Sequence, residues 1–567
     1  MATEIKIHRG NQIGGCVTEI STDTTRIIID FGEELPGSKN PEKFRMDWGK
    51  SGKKPAVSAV FFTHYHGDHV GRFVEAHEHA RLYMSELSRN VLLNIHKYLS
   101  DNLPWLAKRK EEEGDMEEAA QIQEETGKHK AALRILEAED EKRVYTFHPR
   151  EKKTITDLGD IRVTPFWVDH SAGDACMFLI ETEDKRILHT GDFRGHGIHG
   201  QDGTVMCEEI RRLAEQKPID ILITEGTMMS RQDEAPYSER ELLQTAKQFF
   251  QAQDHRHVFL IISSTNLDSI STFYQAAQDN GLLMYCHNPY VEGQIRALGE
   301  YAHKHWSLPD MSDVERVRLW DSEQMERMRE NGFVTIIKAN EVSEELVQRF
   351  KDCAPVIIYS MWQGYVWREL DLALCGFLKR CQAEGIPVIP PNTLDRKASA
   401  EPRMHTSGHA SPELITNVIN AANPKELYPI HTEDAWEFLR LDISEELKEN
   451  LQDKMIQEGE KGGYRKEEDH RHLSAPALEK FKLGGTHRAF VELVQKHKEL
   501  AFCFRGNSGN AAVIYYKNHA AFHITARGYV KFNFDHARYM EEEAWIAQRE
   551  KLKAFGYSFE IKQETRP

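Results

Sequence analysis

The stretch Thr63-His64-Tyr65-His66-Gly67-Asp68-His69-Val70-Gly71 decides how this chain folds and what chemistry it can support. Three imidazoles and one carboxylate, His64, His66, Asp68 and His69, fall within six residues. The residues before them, Ala59-Val60-Phe61-Phe62-Thr63, form an unbroken apolar run and read as a buried strand. The polar cluster therefore sits on the loop leaving that strand, and Gly67 and Gly71 permit a tight path. An ordinary surface turn has no need of three histidines after a hydrophobic strand. Imidazole and carboxylate suit zinc, manganese or iron. Four such groups on one short loop are too many for one face of one helix, which points to two adjacent metals.

The chain has 567 residues, more than a single core accommodates, so about two to four domains are expected. Its 40% hydrophobic and 29% charged residues place it with soluble globular proteins. No apolar run reaches the length of a membrane helix, and Met1-Ala-Thr-Glu-Ile-Lys-Ile7 lacks a basic-then-apolar signal pattern. Eight cysteines without a Cys-x-x-Cys pair argue against a disulfide framework or a zinc ribbon. The expected setting is cytoplasmic. A formal net charge of −17 excludes a protein that coats nucleic acid non-specifically. It does not exclude a nucleic-acid enzyme, because a local basic groove or bound cations act inside an acidic whole.

Upstream of the cluster, residues 5–32 read as a strand, a turn at Gly14-Gly15 and a second strand ending in Asp30. Downstream, 73–100 read as helix, strand and helix, and 101–143 as a solvated helical hairpin with paired charges. A strand over 161–168 is followed by Asp169-His170-Ser171, and a second over 176–181 by Arg186-Ile-Leu-His-Thr-Gly-Asp192. His170 and Asp192 thus each follow an apolar strand, as the first cluster does. The strand over 219–227 ends in Glu225, which alone reads as a cap. From about 236 to 400 helix and strand alternate, as in a parallel α/β unit. Within it, Ser263-Ser264-Thr265-Asn266 is a hydroxyl-rich turn into a helix, suited to phosphate and equally to plain capping. No glycine-rich nucleotide fingerprint occurs. Two further histidine motifs close this part: His405-Thr-Ser-Gly-His-Ala-Ser411 and Tyr428-Pro-Ile-His431-Thr-Glu433. Residues 441–485 read as a charged helical linker containing Lys461-Gly-Gly463. Residues 486–567 read as a small α+β domain with strands at 500–507, 511–516 and 520–525. Phe532, Phe534, Arg538 and Tyr539 there are core residues first and base-stacking residues second.

Taken in order, His-x-His-x-Asp-His, a later His, Thr-Gly-Asp, an acidic strand end, Ser-Gly-His-Ala and Pro-Ile-His-Thr-Glu resemble the metallo-β-lactamase superfamily. Within it they resemble the β-CASP nuclease branch, and most of all ribonuclease J. The resemblance covers about residues 5–440. It implies an α/β protein: a metallo-β-lactamase αββα sandwich from 1–235 and 401–440, interrupted by an inserted β-CASP domain over 236–400. It implies two divalent ions, zinc first and manganese second. His64, His66 and His170 would hold one, Asp68, His69 and His431 the other, and Asp192 both. Asp68, Glu225 and His409 would form the catalytic set, with Glu225 orienting a histidine and His409 protonating the leaving oxygen or holding the scissile phosphate. Asp30 would support the metal loop, and Ser263, Ser264 and Ser407 would contact phosphate. The expected partner is nucleic acid, single-stranded RNA before DNA, with no membrane; a homo-oligomer is compatible. The rival readings are a DNA nuclease of the same branch, a hydrolase of small esters or lactones, and a scaffold that has lost catalysis. The ester hydrolase would not need the 236–400 insertion, and the scaffold would lack ligands. The sequence departs from the branch in His431-Thr432-Glu433, where His-Gly-Glu is usual, and in Arg72, where Gly is common. Neither change removes a ligand. The 101–143 insertion is long for ribonuclease J.

Overall fold

A computed structural model describes residues 3–35, 44–50, 55–138, 143–231, 237–252, 256–305, 310–460 and the strand segments between 470 and 532. The chain divides into two compact units, Met1–Leu447 and Lys448–Pro567.

The first unit begins with a six-stranded sheet laid out in chain order: β1 (Glu4–His8), β2 (Val17–Ser21), β3 (Arg26–Ile29), β4 (Ala59–Phe61), β5 (Arg81–Ser85) and β6 (Val144–Phe147). The second strand expected over residues 5–32 is in fact two. Thr22 Oγ1 accepts from the Thr24 and Thr25 amides, and this hydroxyl-capped turn splits the β-branched run into an antiparallel pair. A second sheet contains β7 (Ile155–Leu158), β8 (Ile161–Trp167), β9 (Cys176–Glu181), β10 (Arg186–His189) and β11 (Ile221–Glu225). Its remaining strand, Glu426–Ile430, comes from much later in the chain and pairs parallel with β11.

The two sheets pack face to face. Ile27 and Ile29 of β3 point into a shared core with Phe61, Phe178, Ile180, Ile187 and Ile223, while Ile28 points to the opposite face. Strands buried on both faces read as unbroken apolar runs for this reason. Phe61 bridges the sheets, stacked on Tyr83 at 4.6 Å and edge-on to Phe178 at 5.6 Å. The outer face of the first sheet is covered by two helices, Glu86–Glu113 and Met116–Glu137. The first of these starts before the expected hairpin and runs through Pro104 without interruption.

Between β11 and Glu426–Ile430 the chain builds a third sheet, all parallel, from β12 (His257–Ile262), β13 (Leu283–Cys286), β14 (Glu315–Arg316), β15 (Phe333–Ile337), β16 (Val356–Ser360) and β17 (Val388–Ile389). Its order is β14-β13-β15-β12-β16-β17. Glu426–Ile430 is then β18. Among the described residues the second unit carries the end of helix Glu445–Glu460 and an antiparallel sheet of five strands, His470–Arg471, Phe502–Asn507, Ala511–Tyr516, His519–Thr525 and Val530–Phe532. The three strands expected in this tail match its longer members. The Lys461-Gly-Gly463 linker, the flanking helices of the tail, and Phe534, Arg538 and Tyr539 lie outside the described residues.

Candidate metal centre

The ends of five strands converge on one point. β4 delivers His64, His66, Asp68 and His69; β8 delivers His170; β10 delivers Asp192; β11 delivers Glu225; β18 delivers His431. His409 arrives on the turn before helix Pro412–Ala422. Four overlapping groups have ligand atoms within 4.8 Å of one another: His64–His66–His170, His64–His69–Asp192, Asp68–His69–His431, and Asp192–Glu225–His409–His431. The loop 66–69 lies directly on the chain leaving β3. A Cβ on Gly32 would sit 1.8 Å from the Asp68 carbonyl oxygen, so only glycine fits there.

Four of the rings, His64, His69, His170 and His431, are held from behind by hydrogen bonds. Thr63 gives its hydroxyl proton to Asp30 Oδ2 at 2.8 Å, so at 3.0 Å it accepts from His64 Nδ1. That leaves a lone pair on His64 Nε2, which is buried with no hydrogen-bond partner. His170 Nδ1 donates to the Gly408 carbonyl, and its Nε2 comes within 3.3 Å of His66 Nδ1. His69 Nδ1 lies 2.8 Å from Asp30 Oδ2, while its Nε2 lies 3.1 Å from Asp192 Oδ2. His431 Nδ1 lies 2.8 Å from Thr227 Oγ1, and its Nε2 lies 3.1 Å from Asp68 Oδ2. Asp30 thus holds both Thr63 and His69 from a left-handed backbone position, φ 60°, that Asp tolerates better than most residues.

The charges divide the cluster in two. Burial, then neighbouring imidazoles, holds His64 and His170 well below the usual histidine range, and burial brings His66 down to about 4. Neutral imidazoles are what metal coordination requires. On the other side burial opposes charge, but Asp192, Asp68 and Asp30 outweigh it and hold a proton on His69. Asp192 is likewise kept ionised against burial by His431, His69 and His409. The residues fit divalent metal. Two buried polar atoms, His64 Nε2 and Asp192 Oδ1, lack hydrogen-bond partners here, and both belong to groups whose ligand atoms converge.

His409 stands beside rather than apart from this set. Its Nδ1 lies 3.3 Å from Glu225 and 3.5 Å from Asp192 Oδ2. Burial works against a charged ring, but Glu225 and Asp192 raise its affinity for a proton above the ordinary value. Glu225, fully buried, also accepts from the Ala410 and Thr227 amides and so fixes the turn that carries His409.

A cleft of about 500 Å³ opens over the cluster. One wall carries His66, Asp68, His170, Asp192 and His409; the other is the carboxyl edge of the parallel sheet, with Ser263, Thr265, Asn266, Ser360, Trp362 and His405. Ile262 at the end of β12 pairs in register with Ser360 at the end of β16. Leaving β12 the chain crosses to β13 on one side, and leaving β16 it crosses to β17 on the other, so the crevice between them is the sheet's topological switch point. Of the expected phosphate contacts, Ser263 and Ser407 line the cleft; Ser264 is buried and does not.

The sequence reading missed the clasp joining the two walls. Arg194, 0% exposed, reaches Glu239 at 3.2 Å, Asp268, Asp169 at 3.7 Å, and the Ser407 carbonyl at 3.0 Å. These residues come from both sides of the cleft and from the chain flanking His170 and His409. One guanidinium against three buried carboxylates is short of positive charge, and burial pushes all three acids up, Asp169 to about 7. Removing the arginine would strand the carboxylates at a loss on the order of 3–5 kcal/mol. The only hint in the sequence was its place two residues after Asp192.

Residues 16–246 match the family described as the Metallo-beta-lactamase superfamily. Endoribonuclease YSH1 of Mycosarcoma maydis is 28% identical over 193 residues, which cover 32% of this chain and 17% of that protein. The match thus spans less than a fifth of that relative. A crystal structure of a protein of unknown function from Enterococcus faecalis V583 superposes with a TM-score of 0.52 at 19% identity, covering 77% of this chain and 95% of the other. The second likeness speaks to the fold alone. Among the described residues no helix is long and apolar enough to cross a membrane.

Proposed function

With a metallo-β-lactamase superfamily domain over residues 16–246 as the premise, we propose that this protein is a metal-dependent nuclease of the β-CASP kind that hydrolyses phosphodiester bonds in single-stranded RNA. The observation that carries this reading is the cleft: His66, Asp68, His170 and Asp192, with the other ligand-type side chains clustered beneath them, face a hydroxyl-, amide- and arginine-bearing wall at a parallel-sheet switch point. A small ester needs no such second wall, whereas an extended polyanion does. The relative of Mycosarcoma maydis bears the name endoribonuclease, and its similarity supports the choice of nucleic acid.

His64, His66, His170, Asp68, His69, Asp192 and His431 would hold two divalent ions. When bound, these supply Lewis-acid stabilisation of charge on the phosphoryl and leaving oxygens. The chain's own groups do the rest. Ser263, Thr265 and the amino end of helix Leu267–Gln278 receive non-bridging oxygens on the far wall. Glu225 keeps His409 Nδ1 engaged at 3.3 Å, which leaves Nε2 for the substrate. Water adds to phosphorus as the P–O bond to the leaving oxygen breaks; the protonated His409 gives its proton to that oxygen, and the proton the water loses passes to solvent. Asp30 and Thr227 hold His69 and His431 at fixed angles throughout.

A substrate panel tests the proposal. Purified protein supplied with zinc or manganese is incubated with end-labelled single-stranded RNA, single-stranded DNA, an aryl ester and a lactone. Cleavage of RNA well ahead of the other three is expected. DNA cleaved in preference to RNA would move the reading to the DNA nuclease, and ester or lactone hydrolysis without nucleic-acid cleavage would overturn it.

A further inference from the structure

A second cavity, of about 330 Å³, opens on the same carboxyl edge of the parallel sheet, where β13, β14 and β15 end. β15 pairs with β12, which brings this cavity alongside the cleft described above. Tyr290 stands between the two. Its hydroxyl lies in hydrogen-bonding reach of Ser264, the neighbour of cleft-lining Ser263 and Thr265, and its ring lies 4.6 Å from Lys338 Nζ. In a chain of net charge −17, Arg316 and Lys338 line the cavity, and among the described residues no carboxylate does. Lys338 makes no ion pair among the described residues, and desolvation alone pushes its pKa down. Arg316 reaches Glu292 at 4.0 Å, a carboxylate that Arg296 already holds at 2.9 Å. Two helices begin at the cavity, Pro289–His305 and Glu341–Arg349. In the first turn of the second, Ser343 is fully buried, lines the cavity, and carries an Oγ without a hydrogen-bond partner. At the mouth stands Trp320, on the turn after β14 and 81% exposed.

An unpaired ammonium, an unspent buried hydroxyl and the amino ends of two helices are together what a phosphate group needs. An exposed indole beside them is a platform for a base. A free nucleotide is recognised by enclosing most of its surface. Here the ring stands open at the mouth, which suits the base of a passing strand. Resting on the nuclease reading above, we propose that this cavity binds one nucleotide of the single-stranded substrate away from the scissile bond, its phosphate on Lys338, Ser343 and the amino end of helix Glu341–Arg349 and its base on Trp320. An acidic chain thereby holds a polyanion along one sheet edge by local sites rather than by a basic surface.

Cleavage of single-stranded RNAs of about 4 and about 16 nucleotides by the metal-loaded, full-length protein tests this, because only the longer one reaches both cavities. Lys338→Met should raise KM for the longer RNA by roughly 10-fold, the worth of one charge-assisted contact, while kcat and the shorter RNA are unaffected. It should also flatten the slope of log(kcat/KM) against log[salt] for the longer RNA by about 0.7, the signature of one phosphate contact on a single strand. Trp320→Ala should raise the same KM by roughly 5- to 100-fold, and Trp320→Phe should recover most of that loss. Ser343→Ala should raise it several-fold without lowering Tm, because its Oγ has no partner to lose. Metal content and Tm report that each variant is folded. Uridine 5′-monophosphate that binds the wild-type protein but not Lys338→Met, with KM for the longer RNA unchanged in every variant, would make the cavity a site for a free nucleotide and overturn the assignment to the strand. Equal effects on both RNA lengths, or no effect on either, also overturn it while the nuclease reading stands. Wild-type protein that cleaves neither RNA with metal present overturns both.

Discussion

The two walls of the cleft are made from the same kind of part, the loop at the carboxyl end of a β-strand, yet they are finished differently. On the metal wall almost every ring is tied behind: His69 by Asp30, His64 by Thr63, His170 by the Gly408 carbonyl, His431 by Thr227 and His409 by Glu225. On the far wall the groups are hydroxyls and arginines, and Ser360 Oγ (residue 1% exposed) and His405 Nδ1 are buried without a hydrogen-bond partner. On the first wall the rings are held in place and the atoms left without partners, His64 Nε2 and Asp192 Oδ1, belong to the ligand groups; on the second they are a hydroxyl and an imidazole nitrogen. That difference teaches how the labour is divided. Chemistry at phosphorus needs atoms held to a fraction of an ångström. Gripping a chain whose bases vary needs donors that become satisfied only when substrate arrives.

The comparison can be broken most forcefully at the one carboxylate that belongs to two of the ligand groups. Asp192→Ala should lose metal and reduce RNA cleavage to background, read by elemental analysis beside a cleavage assay. Retained metal with retained activity would remove Asp192 from the centre. Next in size is His409→Ala. It should bind RNA and keep its metal but cleave about 10²- to 10⁴-fold more slowly, as loss of a proton donor costs. Since His409 lies within ligand distance of Asp192 and His431, metal content is the deciding number, and a drop in it would make His409 a ligand instead. Smaller again, Asp30→Asn touches neither ligand atoms nor substrate and acts only by loosening His69 and Thr63. It should weaken metal affinity about 10- to 100-fold in a chelator competition while excess metal restores the rate. The smallest effect belongs outside both walls. Trp105, 66% exposed on helix Glu86–Glu113, should be replaceable by alanine within about 0.5 kcal/mol of stability and with unchanged RNA cleavage. A clear loss of cleavage in Trp105→Ala would make the helical pair a third wall.

The histidine and aspartate wall was legible in the sequence because each of its ligand-type side chains lies at or just after the end of an apolar strand. Ala59–Phe61 before His64, Ile161–Trp167 before His170 and Arg186–His189 before Asp192 all repeat that order. The inserted parallel sheet was legible for a related reason, since alternating apolar strands and amphipathic helices leave few other folds. The far wall was not. Arg194, Trp362 and Ser360 carry no spacing that separates them from any other arginine, tryptophan or serine. The roles of Trp362 and Ser360 arise from the pairing of β12 beside β16, and that of Arg194 from the meeting of Asp169, Glu239 and Asp268, which only the folded chain reveals. Ser264 shows the same limit from the other direction, because residues 263–265 share hydroxyl chemistry and only the start of helix Leu267–Gln278 decides which of them face the cleft. The split of β2 from β3 turned on a hydroxyl-capped turn, Thr22 to Thr25, that reads as β-branched strand until its hydrogen bonds are seen.

On the nuclease reading the histidine and aspartate wall is a metal centre that cleaves RNA. The most direct measurement strips the protein with chelator, verifies by elemental analysis that it is metal-free, and follows cleavage of end-labelled single-stranded RNA as zinc or manganese is titrated back. Cleavage should vanish in the stripped protein and return as metal is restored, levelling off near two equivalents per chain. Cleavage that persists in verified metal-free protein would contradict the account.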